Sequence, residues 1–259
     1  MKLAFPIFAL LAAAAVASAG IADARPAKPA APACHRPAFR VILDVGHTAQ
    51  EPGAVSARGV PEYDFNLRLA RRIEAALVKA GFAHTVLLLT DGAAQPALLA
   101  RVQRANAMQA QLFVSIHHDS VPEFLLAAWE FLGADGRFSD RFKGHALFVS
   151  RDNARFRQSL AFAQLLGRAL KSHRLEYTPH YTLKLMGPRR RLLVDARAGV
   201  YRFDQLVVLK DARMPAVLLE AGSIVNRAEE LSMESPERQA LIAAAMVEAV
   251  EKFCAAGRQ

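Results

Sequence analysis

Short apolar runs rich in β-branched residues alternate with longer stretches of helical period, and this alternation restricts the fold more than any other feature of the chain. The strand-like runs are Phe39 to Asp44, His84 to Leu89, Leu112 to Ile116, Ala146 to Ser150, Leu206 to Leu209 and Ala216 to Glu220. Helical periodicity occupies Tyr63 to Ala80, Pro96 to Ala110, Arg155 to His173 and Pro236 to Cys254. Strands that alternate with helices predict an α/β fold of one domain, a twisted, mostly parallel six-stranded sheet with helices on both faces. Two stretches interrupt the rhythm, Val121 to Gly144 and Glu176 to Tyr201, the second carrying Arg189, Arg190 and Arg191. Excursions of that length from a compact domain are commonly lids or binding loops, whereas a run of arginines alone more often faces water.

The N-terminus has a different composition. Lys2, the apolar segment Leu3 to Val16 and the small residues Ala17, Ser18 and Ala19 read as an export signal with its cleavage site, with a second possible cut after Ala24. The apolar segment is shorter than the roughly 18 to 20 residues that span a bilayer. A proline- and alanine-rich stretch follows, so the expected organisation is a signal at 1–24, a tether at 25–38 and a folded domain at 39–256. A periplasmic or secreted location follows from that reading. The chain has two cysteines, Cys34 and Cys254, and hence no paired-cysteine metal motif. In an oxidising compartment the two can form a disulfide, the other reading being two unrelated thiols. The formal net charge of +9 favours polyanionic partners. Without a nucleic-acid-binding motif, and with an export signal, that charge suits an envelope surface better than DNA or RNA.

Four residues capable of chemistry fall at strand ends or a helix start. His47 follows the first strand, Glu62 opens the first helix, His117 follows the third strand and Glu220 ends the last. Ligand sites in open α/β sheets lie beyond the carboxyl ends of the strands, so residues far apart in sequence can meet there. Two imidazoles and a carboxylate make a catalytic zinc shell with one position left open, and a further carboxylate can move the proton. Side chains alternate along a strand, so only one of His117 and His118 faces such a site. Of the remaining histidines, His180 in the second excursion has the most suggestive setting.

The segment from Ile42 to Ile73, ILDVGHTAQEPGAVSARGVPEYDFNLRLARRI, resembles the first motif of the zinc-dependent N-acetylmuramoyl-L-alanine amidases. LLARVQRANAMQAQLFVSIHHDS is similar to their second motif and MPAVLLEAGSIVNRAEE to their third, in the family's order from about Arg40 to Glu230. The resemblance implies a single peptidoglycan amidase domain with Zn2+ held by His47, Glu62 and His117 and with Glu220 as the catalytic carboxylate. It also implies peptidoglycan as the substrate, a monomer, and in some relatives a protein activator that withdraws a plugging helix. Val121 to Gly144 would be the place for such a plug, with Glu123 or Glu130 reaching the metal, or for a lid that shapes the substrate groove. The chain departs from the family pattern at Val45, where proline is usual, at Thr48 and Ala49, where a glycine pair is usual, and at Ser223 and Ile224. The same metal shell also serves peptidoglycan peptidases and deacetylases, and a non-catalytic wall-binding module is the reading from a different class.

Overall fold

In a computed structural model of the chain, Met1 and residues 34–257 are described, and the rest of the expected signal and most of the expected tether lie outside them. The strands are β1 (Val41–Val45), β2 (Thr85–Leu88), β3 (Leu112–Asp119), β4 (Ala127–Phe131), β5 (Ala134–Phe138), β6 (Ala146–Val149), β7 (Leu192–Asp195), β8 (Val200–Arg202) and β9 (Ala216–Ser223). The helices are α1 (Glu62–Lys79), α2 (Ala94–Ala107), α3 (Phe156–Ser172), α4 (Val207–Lys210), α5 (Arg227–Glu234) and α6 (Pro236–Ala256). Seven strands form the main sheet in the order β2-β1-β3-β9-β6-β8-β7. β1 pairs in parallel with β2 and β3, β3 with β9, and β6 with β8, whereas β6 and β9 are antiparallel, as are β7 and β8.

The alternation of side chains divides the core into two layers. Val41, Leu43 and Val45 of β1, with Val217, Leu219 and Ala221 of β9, join the layer beneath α1, α3 and α6. Ile42, Phe113, Ala216 and Leu218 point the other way, into a layer closed by α2, α4 and the buried Tyr181 and Met186. Cover on both faces explains why β1 is buried at all five positions and reads as a continuous apolar run. α1 begins after Pro61, carries Glu62 and Asp64 in its first turn, and ends on Lys79, charges that suit the helix dipole at either end. Its buried stripe, Phe65, Leu69, Ala70, Ile73 and Leu77, has the helical spacing.

Three features differ from the sequence reading. Leu206 to Leu209, expected as a strand, is the short helix α4, with Val208 and Leu209 buried against the sheet. An apolar run of four residues has too little length for its period to separate strand from buried helix. The missing strand positions are taken by β7 and β8 from the second excursion, which makes the sheet seven-stranded. The first excursion contributes a separate hairpin, β4 and β5, joined through Leu132 and Gly133, both at positive φ (51° and 78°). That backbone suits a two-residue hairpin turn.

The described end of the expected tether is docked on the domain. Cys34 and Cys254 form a disulfide, Arg36–Ala38 make one 3-10 turn, and Arg36 pairs with Glu251 at 2.9 Å and donates to the Ala80 carbonyl at 2.8 Å. No described helix is long and apolar enough to cross a membrane.

Candidate metal centre and active site

The carboxyl ends of β1, β3 and β9 and the first turn of α1 bring the four expected residues to one edge of the sheet. In the register, Asp44 lies opposite Ser115, and His117 opposite Glu220. The parity that sends Ile42 and Phe113 into one core layer places Asp44, Ser115, His117 and Glu220 on that same face. His118 therefore points to the opposite face, where it is buried against Phe65 and its Nδ1 lies 2.8 Å from Asn66 Oδ1. Burial pushes the His118 imidazole down to about 3, so it stays neutral.

His47, Glu62 and His117 meet, with one potential ligand atom from each lying within 4.8 Å of the others. Glu62 Oε2 is 3.0 Å from His47 Nε2, and Glu62 Oε1 is 3.0 Å from His117 Nδ1. Two imidazole nitrogens and a carboxylate oxygen this close can hold a metal ion, and the set matches a three-ligand zinc shell. Burial alone would raise the Glu62 carboxyl, but hydrogen bonds and positive charge from His117 and His47 outweigh it and hold Glu62 well below the usual carboxylate range.

The surroundings fix these side chains. The Ala54 amide donates to Glu62 Oε2 at 3.1 Å, while the His118 amide and Asn66 Nδ2 donate to Oε1 at 3.3 and 3.2 Å. His47 sits at φ 69°, a left-handed conformation uncommon outside glycine, and Arg101 clamps it there by donating to its carbonyl at 2.8 Å. Arg101 is itself buried, paired with Asp44 at 3.3 Å and hydrogen-bonded to Thr90. Burial raises the Asp44 carboxyl even with Arg101 beside it. Gly46 and Gly53 leave room for the cluster, since a Cβ on Gly46 would stand 2.4 Å from the His117 ring and one on Gly53 would stand 2.6 Å from Glu62 Oε2. At the departure from the family loop, the Thr48 hydroxyl donates to the Gly92 carbonyl at 2.8 Å and accepts from the Glu51 amide at 3.0 Å. These bonds tether a loop that loses the freedom of a glycine pair.

Glu220 stands beside His117 on the neighbouring strand, its Oε2 buried without a hydrogen-bond partner. Burial raises its carboxyl well above the ordinary range, and repulsion from Asp119 and Glu62 adds to the rise. Asp119 anchors the second excursion, since the Tyr181 hydroxyl donates to its Oδ1 at 2.7 Å and His180 Nε2 lies 3.2 Å from its Oδ2. Arg189 donates to the Ser120 carbonyl at 2.8 Å. Of the suspected arginine run, Arg189 alone reaches this edge, whereas Arg191 stacks on Phe203 at 3.8 Å. Glu123 is exposed and paired with Arg137, and Glu130 is exposed on the hairpin, so neither joins the metal-capable group. Sequence reasoning did not single out Asn66, Asp44 or Asp119. Spacing offered a signal for Asn66 alone, since it lies one helical turn beyond Glu62 and shares its face.

The family model described as N-acetylmuramoyl-L-alanine amidase matches residues 41–252. The chain belongs to the N-acetylmuramoyl-L-alanine amidase family. Within the family it is similar to the amidase AmiC of Escherichia coli, with 24% identity over 84% of this chain and 53% of that protein. It is also similar to the amidase Rv3717 of Mycobacterium tuberculosis, with 26% identity over 80% of this chain and 74% of that one. The chain thus spans about half the length of the Escherichia coli relative (53%). Among solved structures, the amidase Ami1 of Mycobacterium smegmatis superimposes with a TM-score of 0.64 at 22% identity, covering 86% of this chain and 98% of that one. That likeness establishes the amidase fold. All four site residues lie inside the segment matched by the family model.

Proposed function

We propose that this amidase is a zinc-dependent enzyme of the cell envelope that hydrolyses the amide between N-acetylmuramic acid and the L-alanine of the peptidoglycan stem peptide. The observation that carries the reading is the meeting of His47, Glu62 and His117 within 4.8 Å, with the unpartnered carboxyl of Glu220 on the adjoining strand. In this reading His47, Glu62 and His117 hold the ion. A zinc ion, when bound, polarises the scissile carbonyl and lowers the pKa of a water toward about 7. Glu220 takes the proton from the attacking water and delivers it to the departing alanine nitrogen. Burial raises its affinity for a proton, the direction that a group which both takes and returns a proton requires. Arg101, through the His47 carbonyl, and Asn66, through Glu62, hold the ligand geometry.

The proposal includes a signal at 1–24 and a catalytic domain at 39–256 that acts as a monomer. The disulfide supports an oxidising compartment, periplasmic or extracellular. The CwlD amidase of Clostridioides difficile has been solved in complex with the GerS lipoprotein, which supports a protein partner for this chain as well. Digestion of purified peptidoglycan followed by mass spectrometry tests the reading. Release of intact stem peptides beginning with L-alanine is expected. Shortened peptides would mean a peptidase, loss of acetyl groups a deacetylase, and binding without release a wall-binding module.

A further inference from the structure

A cavity of about 520 Å³ lies apart from the metal-capable trio yet on the same edge of the sheet. Its position follows from three contacts. Ala146, the first residue of β6, pairs with Glu220, so Gly144 and His145 lie immediately beyond the catalytic strand end. A β-bridge between His145 and Tyr177 lays the segment around residues 176 to 180 alongside. His180, which lines the cavity, reaches Asp119 two residues beyond His117. The volume is in the range of small-molecule sites.

The charge of its lining is one-sided. Arg141, Lys143, Arg174 and Arg238 face two carboxylates, Glu176 and Glu229. Glu229 is already engaged, since it accepts from the amides of Gly144 and Ser223 at 2.9 Å and pairs with Arg238 at 3.3 Å. Arg238 nevertheless keeps its Nε buried with no partner. Arg141, Lys143 and Arg174 are exposed, and none enters an ion pair among the described residues. Arg174 adds a backbone observation. It stands at φ 62° just past α3, the position at which helices usually end on glycine because a side chain strains that backbone. The chain bears that strain and sets a guanidinium at the rim.

We infer that this cavity is an anion subsite that receives a carboxylate of the peptide portion of the substrate, with Lys143 and Arg174 at its mouth and Arg238 at its floor. The identity of the ligand rests on the amidase reading; the preference for a carboxylate rests on the cavity alone. A peptide that begins at the scissile amide beside Glu220 and runs toward β6 brings its acidic groups to these cations, where charge-assisted hydrogen bonds hold them. The subsite would favour stem peptides with free carboxylates over amidated ones.

Calorimetric titration with two synthetic peptides tests the inference without turnover. One is an L-alanine-led acidic tetrapeptide with free carboxylates, and the other is the same peptide with every carboxylate amidated. The wild-type protein should bind the acidic peptide at least about tenfold more tightly, and the double variant Lys143→Gln, Arg174→Gln should lose about that factor for the acidic peptide and nothing for the amidated one. Both side chains are exposed, and an unchanged melting curve checks that the variant folds. Equal binding of the two peptides, unchanged affinity in the variant, or binding of inorganic phosphate with none of the acidic peptide would each overturn the inference. Neither peptide contains a muramyl amide. A protein that binds the acidic peptide yet cuts no peptidoglycan refutes the amidase reading alone, and one that cuts peptidoglycan without charge-dependent binding refutes the subsite alone.

Discussion

Glu62 and Glu220 are both carboxylates at one sheet edge, and their surroundings push their carboxyl groups in opposite directions, as the proposed roles require. Glu62 is enclosed by imidazoles and amide donors that favour its charged form, as a metal ligand requires. Glu220 has none of these partners and holds a proton more tightly. Glu220→Gln should therefore keep the metal near full occupancy while turnover falls by roughly 100- to 10,000-fold, whereas Glu62→Gln should lose metal first. Metal analysis of both purified variants beside a turnover assay decides the matter, and metal loss in Glu220→Gln would make it a ligand. Arg101 acts one step further out. Arg101→Lys removes the planar fork that joins Asp44, Thr90 and the His47 carbonyl, so zinc affinity, read by competition with a chelator, should fall by about 10- to 100-fold. An unchanged affinity would show that the left-handed backbone of His47 holds without the clamp.

At the scale of elements, the legible parts were those whose pattern was long enough to carry a period. α1, α3 and α6 were expected within two residues of where they lie, and the first three strands followed from their apolar runs. Strand parity also separated His117 from His118, because a buried β3 leaves one side chain of each neighbouring pair on each face. What was illegible was short or polar. β7 and β8 are four and three residues long, and β7 is a partly exposed edge strand preceded by arginines, so neither shows a run. The β4 and β5 hairpin hides its aromatics differently. Trp129 stacks on Phe131 and receives Arg58 and Arg227 over its ring, so its inner face is covered by cations that a hydropathy pattern cannot reveal. Its turn sets Leu132, 91% exposed, at φ 51°, where asparagine or glycine is favoured. Leu132→Asn should raise stability by about 0.5 to 1 kcal/mol, read from the denaturation midpoint, with turnover unchanged. A loss of turnover at wild-type stability would instead give the exposed leucine a role in holding substrate.

For the whole molecule, stability depends on how the ends are tied and on groups that are buried without charge. The disulfide joins residues 220 positions apart, so in the chain-entropy picture its loss costs up to about 5 kcal/mol. Cys34→Ser should lower stability by several kcal/mol, read from the denaturation midpoint, while leaving the His47, Glu62 and His117 cluster, at the far end of the strands, intact; an unchanged midpoint would show that α6 needs no such tie. His145 sets a different dependence. Burial first, and then the charge of Arg238, push its imidazole from an ordinary value near 6.5 down to about 4. The unfolded chain then binds a proton that the folded chain refuses, so stability is unaffected above pH 6.5, falls as the pH drops toward 4, and loses no more from this group below that. At pH 5 the loss from His145 amounts to about 2 kcal/mol relative to pH 7.5. Urea denaturation at those two values should show it, and His145→Gln, which has no proton to gain, should show a fall smaller by that amount. If wild type and His145→Gln lose equal stability between pH 7.5 and 5, the imidazole is charged in the folded state and its surroundings are more polar than the packing around β6 indicates.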